Sequence, residues 1–430
     1  MRTRQRTMNR ATVVVGVAAL ILALFTISPG LRAWASPSHP AGPARPDHGW
    51  VASWAASPVV GSTAFNDQTV RNVIYSSVGG DQVRVRLSNT FGSQPVQVDA
   101  TSVGVVLDGA QLAPGTSRSV TFDGQSSVTI PVGKEVVSDP IAIRVPRLSK
   151  LAVDLYLAGP TGPATGHPLA WETNYVASGD HAGDSTGSDY TTQTSSWYFV
   201  DGLDVHNRAS GGTVVAFGDS ITDVGHSEVD SEARWPNYLS RRLDATVGDH
   251  APAVVDAGVS GNRVLNDSGG SGESALHRFQ RDVLSQPGVK AVILLEGIND
   301  IGQSDTDPVT AAQLESGYRQ LIRMAHARGV KIYGGTLTPF LGSNCRYGHV
   351  YGTPQGEAVR LEVNHWIRTS HAFDGVIDFD RATASPYDPG YFNASYNATG
   401  APQCQTADSL HPNDLGDEVM ADTVPLRWFH

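Results

Sequence analysis

The chain has 430 residues, with 42 acidic against 31 basic residues and a formal net charge of −11. Apolar residues make up 40% and charged ones 17%, which excludes a disordered composition and leaves room for two domains. A chain this acidic repels phosphate backbones, which argues against nucleic-acid binding.

The first elements read as a targeting segment. Arg2, Arg4, Arg6 and Arg10 form a basic start, Ala11 to Ile27 an apolar run, and Ala33–Trp34–Ala35 a small-x-small cleavage pattern. Residues 1–35 are therefore expected to be a signal peptide, removed on export to leave a secreted protein with no stable membrane span. The alternative is an uncleaved N-terminal anchor, since the apolar run is borderline for a span. Residues 36–48 are Pro-rich and read as a tether.

Residues 49–210 follow a period of two. Val83, Val85 and Leu87 alternate with Arg84, Arg86 and Ser88, and Leu151, Val153, Leu155 and Leu157 alternate with smaller or polar partners. Short runs of this kind, separated by Gly and Pro with no long helical pattern between them, predict an all-β sandwich. The stretch from Ala177 to Ser196 is almost free of apolar residues and reads as a loop.

Residues 211–430 change pattern. Strands are expected at Thr213–Phe217, 252–260, 290–297, 330–340 and 375–380, the third apolar throughout, as a strand covered on both faces must be. Between them fall helix patterns. Trp235, Tyr238, Leu239 and Leu243 share one face. Leu314, Tyr318, Leu321, Ile322 and Ala325 form the stripe of a helix that Asp307 and Pro308 would open and Gly329 would close. Alternating strands and helices predict a parallel, three-layer α/β domain.

Chemistry-bearing residues stand just past the strands, where such sheets bind ligands. Ser220 follows the first, Gly261 the second and Asn299 the third, while Asp408 and His411 precede the last helix. A serine hydroxyl needs a base to become a nucleophile, and His411 can be that base. Asp408 can fix its tautomer and stabilise the imidazolium. The N–H of Ser220, the N–H of Gly261 and the amide of Asn299 can receive an oxyanion. Taken alone, Ser220 is equally a helix N-cap. His277, His349, His365 and His226 lack metal-ligand spacing, and neither a metal nor an organic cofactor is expected.

The blocks "GDSIT", "SGN", "GIND" and "DSLHP" resemble those of the SGNH (GDSL) hydrolases in order and spacing. The likeness runs from Thr213 to the C-terminus. It implies a flavodoxin-like α/β/α sandwich with a five-stranded parallel sheet, Ser220 as nucleophile, Gly261 and Asn299 as oxyanion donors, and an Asp408–His411 base. It departs from the common pattern at Ile298, where many members carry Thr. Family members act on lipid esters and on acetylated sugars, so the reaction is implied and the substrate is not.

The two cysteines, Cys345 and Cys404, lie in loops expected to leave the same sheet edge after the fourth and fifth strands. In an exported protein a Cys345–Cys404 disulfide is expected to tie these loops together. They also carry Tyr347, Tyr351, Tyr387, Tyr391, Phe392 and Tyr396, which suit stacking on sugar rings or ordinary packing equally. The resulting expectation is a secreted esterase acting on O-acyl groups of a carbohydrate or similar polar compound, with a possible glycan ligand for the β-sandwich. A lipase or lysophospholipase is the nearest rival, and a non-catalytic glycan-binding surface protein the alternative of another class.

Overall fold

The computed structural model describes residues 49–223, 228–303, 309–399 and 407–429. The leader, the tether, His226, Asp307, Pro308 and Cys404 lie outside them. Residues Pro46–His430 form one compact unit.

Its N-terminal part is built from antiparallel strands. In the larger sheet, Ser149–Leu157 pairs along its whole length with Gln68–Ser76 on one side and with Ala100–Asp108 on the other. The facing sheet centres on Gly80–Ser88, paired with Val200–His206, which in turn pairs with Trp50–Ala55. Val83, Val85 and Leu87 point at Val70, Ile74, Leu151, Val153 and Leu155, and this shared core is nearly inaccessible to water. The alternation therefore placed the apolar face correctly, and the region is a sandwich of β-sheets.

The opposite face of Gly80–Ser88 departs from the pattern. That face carries Arg84, Arg86 and Ser88, and Arg86 is buried rather than wet. It pairs with Asp204 at 3.3 Å and donates to the side-chain oxygen of Gln286, in the α/β part, at 2.6 Å. Period two distinguishes faces and not environments, so a polar face buried against a neighbour looks like a wet one.

The C-terminal part is a five-stranded parallel sheet flanked by helices. In chain order its elements are β1 (Thr213–Gly218), α1 (Ser220–Asp223), α2 (Trp235–Val247), β2 (Ala253–Gly258), α3 (Ala275–Phe279), β3 (Val289–Leu295), α4 (Ile298–Gly302), α5 (Ala311–Ala327), β4 (Lys331–Gly335), α6 (Asn344–Tyr347), α7 (Pro354–Thr369), β5 (Gly375–Ile377), α8 (Phe379–Thr383) and α9 (Asp414–Thr423). Across the sheet the strands run β2-β1-β3-β4-β5. The order reverses at β1, and sheets of this kind bind ligands beside the C-terminal end of the strand where the order reverses. Every residue of β1 is buried, as a centrally placed parallel strand requires.

Several boundaries differ from expectation; the fourth strand, for one, stops at Gly335 rather than 340. The side chain of Thr310 caps α5 by accepting from the N–H of Gln313, whose own side chain closes a capping box, so the helix opens later than Asp307 and Pro308 suggested. The fifth strand stops at Ile377, and Asp378 caps a short helix instead. The end of the loop expected after the fourth strand is already helical, with Thr353 capping α7 ahead of Pro354.

The two parts are joined directly. Ala52 donates its N–H to the carbonyl of Pro287 at 3.0 Å, and Thr213 donates its hydroxyl to the carbonyl of Ala52 at 3.3 Å. Ala52 and Ala55, on the first strand of the sandwich, share the core of the parallel sheet.

Candidate active site

β1 ends at Gly218, and the chain turns through Asp219 straight into α1. The Asp219 carboxylate accepts the N–H of Ile221 at 3.0 Å, and its carbonyl accepts those of Thr222 and Asp223. This tight turn presents Ser220 as the first helical residue, nearly buried at 9% exposure. A Cβ at Gly218 would lie 2.4 Å from the carbonyl oxygen of Leu295, so only glycine allows the strand to approach β3 this closely at its end.

His411 reaches Ser220 from the far end of the sequence. Its Nε2 lies 2.8 Å from Ser220 Oγ and its Nδ1 lies 2.8 Å from Asp408 Oδ1. The Asp408–His411 segment is a turn wound on its own aspartate, whose Oδ1 also accepts the N–H of Leu410 at 3.1 Å and of His411 at 2.9 Å. Ser409 takes a φ of +61°, which a serine adopts only where the surroundings hold it. Here its N–H is fixed on the side-chain oxygen of Asn397 at 2.9 Å. With Nδ1–H directed at a carboxylate, Nε2 is left to accept the proton of the serine hydroxyl.

Asp408 is also gripped from outside its own turn. Its Oδ2 accepts from Arg346 Nη1 at 2.7 Å and from the Tyr347 hydroxyl at 2.6 Å, both on α6. Burial works against its charge, but the hydrogen bond and charge of His411 and the bond from Tyr347 hold its carboxyl well below the usual carboxylate range. Burial pushes the Tyr347 hydroxyl well above its ordinary value, so it acts as a donor throughout.

The expected oxyanion donors follow β2 and β3, the strands on either side of β1. Gly261 has a φ of +76°, and a Cβ there would fall 2.5 Å from Ser271 Oγ, so the loop after β2 needs glycine at this point. Neither its N–H nor that of Ser220 is donated to another group among the described residues. Asn299, at the start of α4, donates one amide hydrogen from Nδ2 to the carbonyl of Asn262 at 2.9 Å. The Tyr351 hydroxyl donates to its Oδ1 at 2.5 Å. These two bonds fix which way the amide points and leave the second Nδ2 hydrogen unspent.

The structure thus joins Ser220, His411 and Asp408 by hydrogen bonds, while Gly261 and Asn299 stand past the ends of β2 and β3, the two strands that flank β1. Asp300, next to Asn299, accepts from the N–H groups of Val264 and Leu265, on the loop after β2, at 2.7 and 3.1 Å. Burial raises its carboxyl to about 6 and that of Asp219 to about 7. Reasoning from sequence missed Arg346, Tyr347 and Tyr351. The only signal was their place in a loop flagged for its aromatic content. Of the six aromatics on that loop and the loop after β5, Tyr351 and Phe392 are buried, whereas Tyr387 is 96% and Tyr391 45% exposed. The loop after β5 borders the site as expected: Ala398 and Asp408 exchange a backbone bond, and Ala398 donates to the carbonyl of His411. A candidate metal cluster among the described residues, His181, Asp184 and Asp189, lies in the β-rich part and takes no part here.

Residues 216–419 match the family described as GDSL-like Lipase/Acylhydrolase. The α/β part is therefore a GDSL-like hydrolase domain, and the protein a carboxylic ester hydrolase. Among solved structures, similarity extends to a lipolytic protein of the G-D-S-L family from Desulfitobacterium hafniense, at 18% identity over 49% of this chain and 97% of that one with a TM-score of 0.35. It extends also to a variant of an acetyl xylan esterase from Geobacillus stearothermophilus, at 20% identity over 49% and 92% with a TM-score of 0.35. A GDSL-like lipase from Bacteroides thetaiotaomicron shows 16% identity over 50% and 85% with a TM-score of 0.34. At such values these likenesses decide nothing beyond the family match. No curated protein matches the chain.

Proposed function

We propose that the protein cleaves O-acyl esters of a carbohydrate or similarly polar compound by a Ser220–His411–Asp408 mechanism. Ser220 Oγ attacks the acyl carbon while His411 Nε2 takes its proton. The oxyanion that forms is met by the N–H groups of Ser220 and Gly261 and the amide of Asn299. His411 then gives its proton to the departing alkoxide, leaving an acyl-serine. Water, deprotonated by the same imidazole, attacks that acyl carbon, and the acid leaves as Ser220 regains its proton. Asp408 stays ionised throughout and holds Nδ1–H in place.

The observation that carries this reading is the unbroken hydrogen-bonded line from Ser220 through His411 to Asp408. The polar substrate is supported by Tyr387 and Tyr391, aromatic faces left open on a loop rich in Asn, Ser and Gly that borders the site. Export belongs to the same reading and rests on the leader pattern of residues 1–35.

The experiment is a chain-length series of p-nitrophenyl esters together with acetylated polysaccharides, run on the wild type and on Ser220→Ala. The expected result is a maximum at acetyl, release of acetate from polysaccharide, and turnover lower by at least roughly 10³ in the variant. A maximum at long acyl chains would replace this substrate by a lipid ester. Turnover undiminished in Ser220→Ala would end the mechanism, and a wild type inert on every ester would favour a binding protein.

A further inference from the structure

Asp223, the last residue of α1, does two things at once. Its Oδ2 accepts the N–H of Ser260 at 3.0 Å and the Ser260 hydroxyl at 3.2 Å, so it holds the residue directly before Gly261. Its Oδ1 lies 2.8 Å from Nε2 of His167. His167 belongs to the β-rich part, on the short strand Thr165–His167, and is buried against the ring of Trp197.

The other nitrogen of that imidazole, Nδ1, lies 2.8 Å from the carbonyl oxygen of Ser57. A carbonyl can only accept, so Nδ1 carries a hydrogen. Nε2 faces a carboxylate and needs a proton between them. Both conditions are met by an imidazolium donating from both nitrogens. Burial disfavours its charge, but the charge and hydrogen bond of Asp223 outweigh this and lift His167 above the ordinary histidine value. His167 and Asp223 line a cavity whose other charged groups are Arg234 ahead of α2, Asp256 on β2, Glu172 and Glu232, with Tyr75 from the large sheet.

A second contact from the same segment has the same direction. The hydroxyl of Ser57 lies 3.1 Å from Nη1 of Arg278, a fully buried residue of α3. Arg278 donates to the carbonyls of Gly218 and Ala257, at the ends of β1 and β2, and to Oδ1 of Asn262, just after Gly261. The residues on either side of Gly261 are thus held by side chains that the β-rich part itself contacts.

We propose that His167 is a positioning residue of the active site: through Asp223 it sets the place of the Ser260–Gly261 loop, and with it the N–H that receives the oxyanion. This inference rests on the esterase reading. It makes the β-rich part a component of the catalytic apparatus as well as a neighbour of it. An N–H aimed at the oxyanion acts on the transition state more than on the bound ester, so a shift of the loop falls on kcat rather than KM. Loss of the His167 proton would leave a lone pair facing either Asp223 or the Ser57 carbonyl and would loosen the loop. Activity therefore falls as pH rises through the His167 ionisation.

The test uses the full chain with His167→Ala and His167→Gln, whose amide Nε2 can donate to Asp223 but does not titrate. Thermal midpoints, kcat and KM on p-nitrophenyl acetate, and the affinity for phenylboronic acid, which forms a tetrahedral adduct on serine, are measured. The expected result for His167→Ala is a kcat lower by roughly 10- to 100-fold with KM changed by less than about threefold, and weaker boronate binding by a similar factor. His167→Gln regains most of kcat and loses the alkaline decline seen in the wild type. A folded His167→Ala with kcat within twofold of wild type overturns the proposal. If that variant does not fold, a pH profile of His167→Gln superimposable on the wild type overturns it. An inert wild type, or turnover that persists in Ser220→Ala, would instead remove the esterase reading on which the proposal stands.

Discussion

Asn299 is useful only in one orientation, and a tyrosine 52 positions away decides which. Without the Tyr351 hydroxyl, Oδ1 of Asn299 loses its buried donor, and only the bond to the Asn262 carbonyl opposes rotation of the amide. Tyr351→Phe is therefore expected to lower kcat roughly tenfold, less than removal of the donor itself, with little change in KM. Steady-state kinetics beside a thermal midpoint would check this, and an unchanged kcat in a folded variant would contradict it. The Ser220, Asp408 and His411 that the structure joins were legible in the sequence because each stands in a short block whose local geometry it helps to make. Tyr351, Arg346 and Tyr347 were not. Their side chains act on residues 52 to 64 positions distant, and nothing in their own neighbourhood encodes that meeting.

Among elements, the strongest patterns were read correctly and their ends were not. The stripe of α5 follows from its helical spacing, and Leu314, Tyr318, Leu321 and Ala325 are all buried. Its start was misplaced because Asp307–Pro308 is also good capping chemistry, and both signals lie within one turn of each other. The box made by Thr310 and Gln313 holds the helix end in the structure. Thr310→Ala is expected to destabilise the protein by about 1 kcal/mol, seen as a lower denaturation midpoint in urea with an unchanged slope. No change would show that the cap is fully replaced by water. The polar face of Gly80–Ser88 teaches a related lesson, since the burial of Arg86 depends on Gln286, some two hundred positions later.

Over the whole molecule, buried acids set the response to pH. Burial raises Asp219 and Asp256 to about 7 and Asp300 to about 6, against an ordinary value of 3.8. The folded state thus keeps protons that the unfolded chain has already released, so the stability these groups allow is lost progressively as pH rises from about 4 to the folded values near 6 and 7. His167 acts in the same direction: its raised ionisation contributes stability below its unfolded value, lost as pH climbs through the folded one. Asp408 acts in the opposite direction, contributing above its unfolded value, and its contribution is lost only in strong acid. The melting temperature is expected to be highest near about pH 4 and to fall as pH rises toward about 7. Calorimetry across that range would test this, and a flat or rising midpoint would contradict it.

The sequence by itself determined the kinds of element, the sandwich and parallel-sheet classes, and five residues placed to meet at one edge, because period, caps and turn chemistry are local properties of a chain. Only the tertiary structure decided that the sandwich lays its first strand against the core of the parallel sheet, that α6 grips Asp408, and that His167 reaches Asp223. Those are contacts between surfaces whose partners lie far apart along the chain. Their formation depends on how whole faces pack, which no short window of residues records.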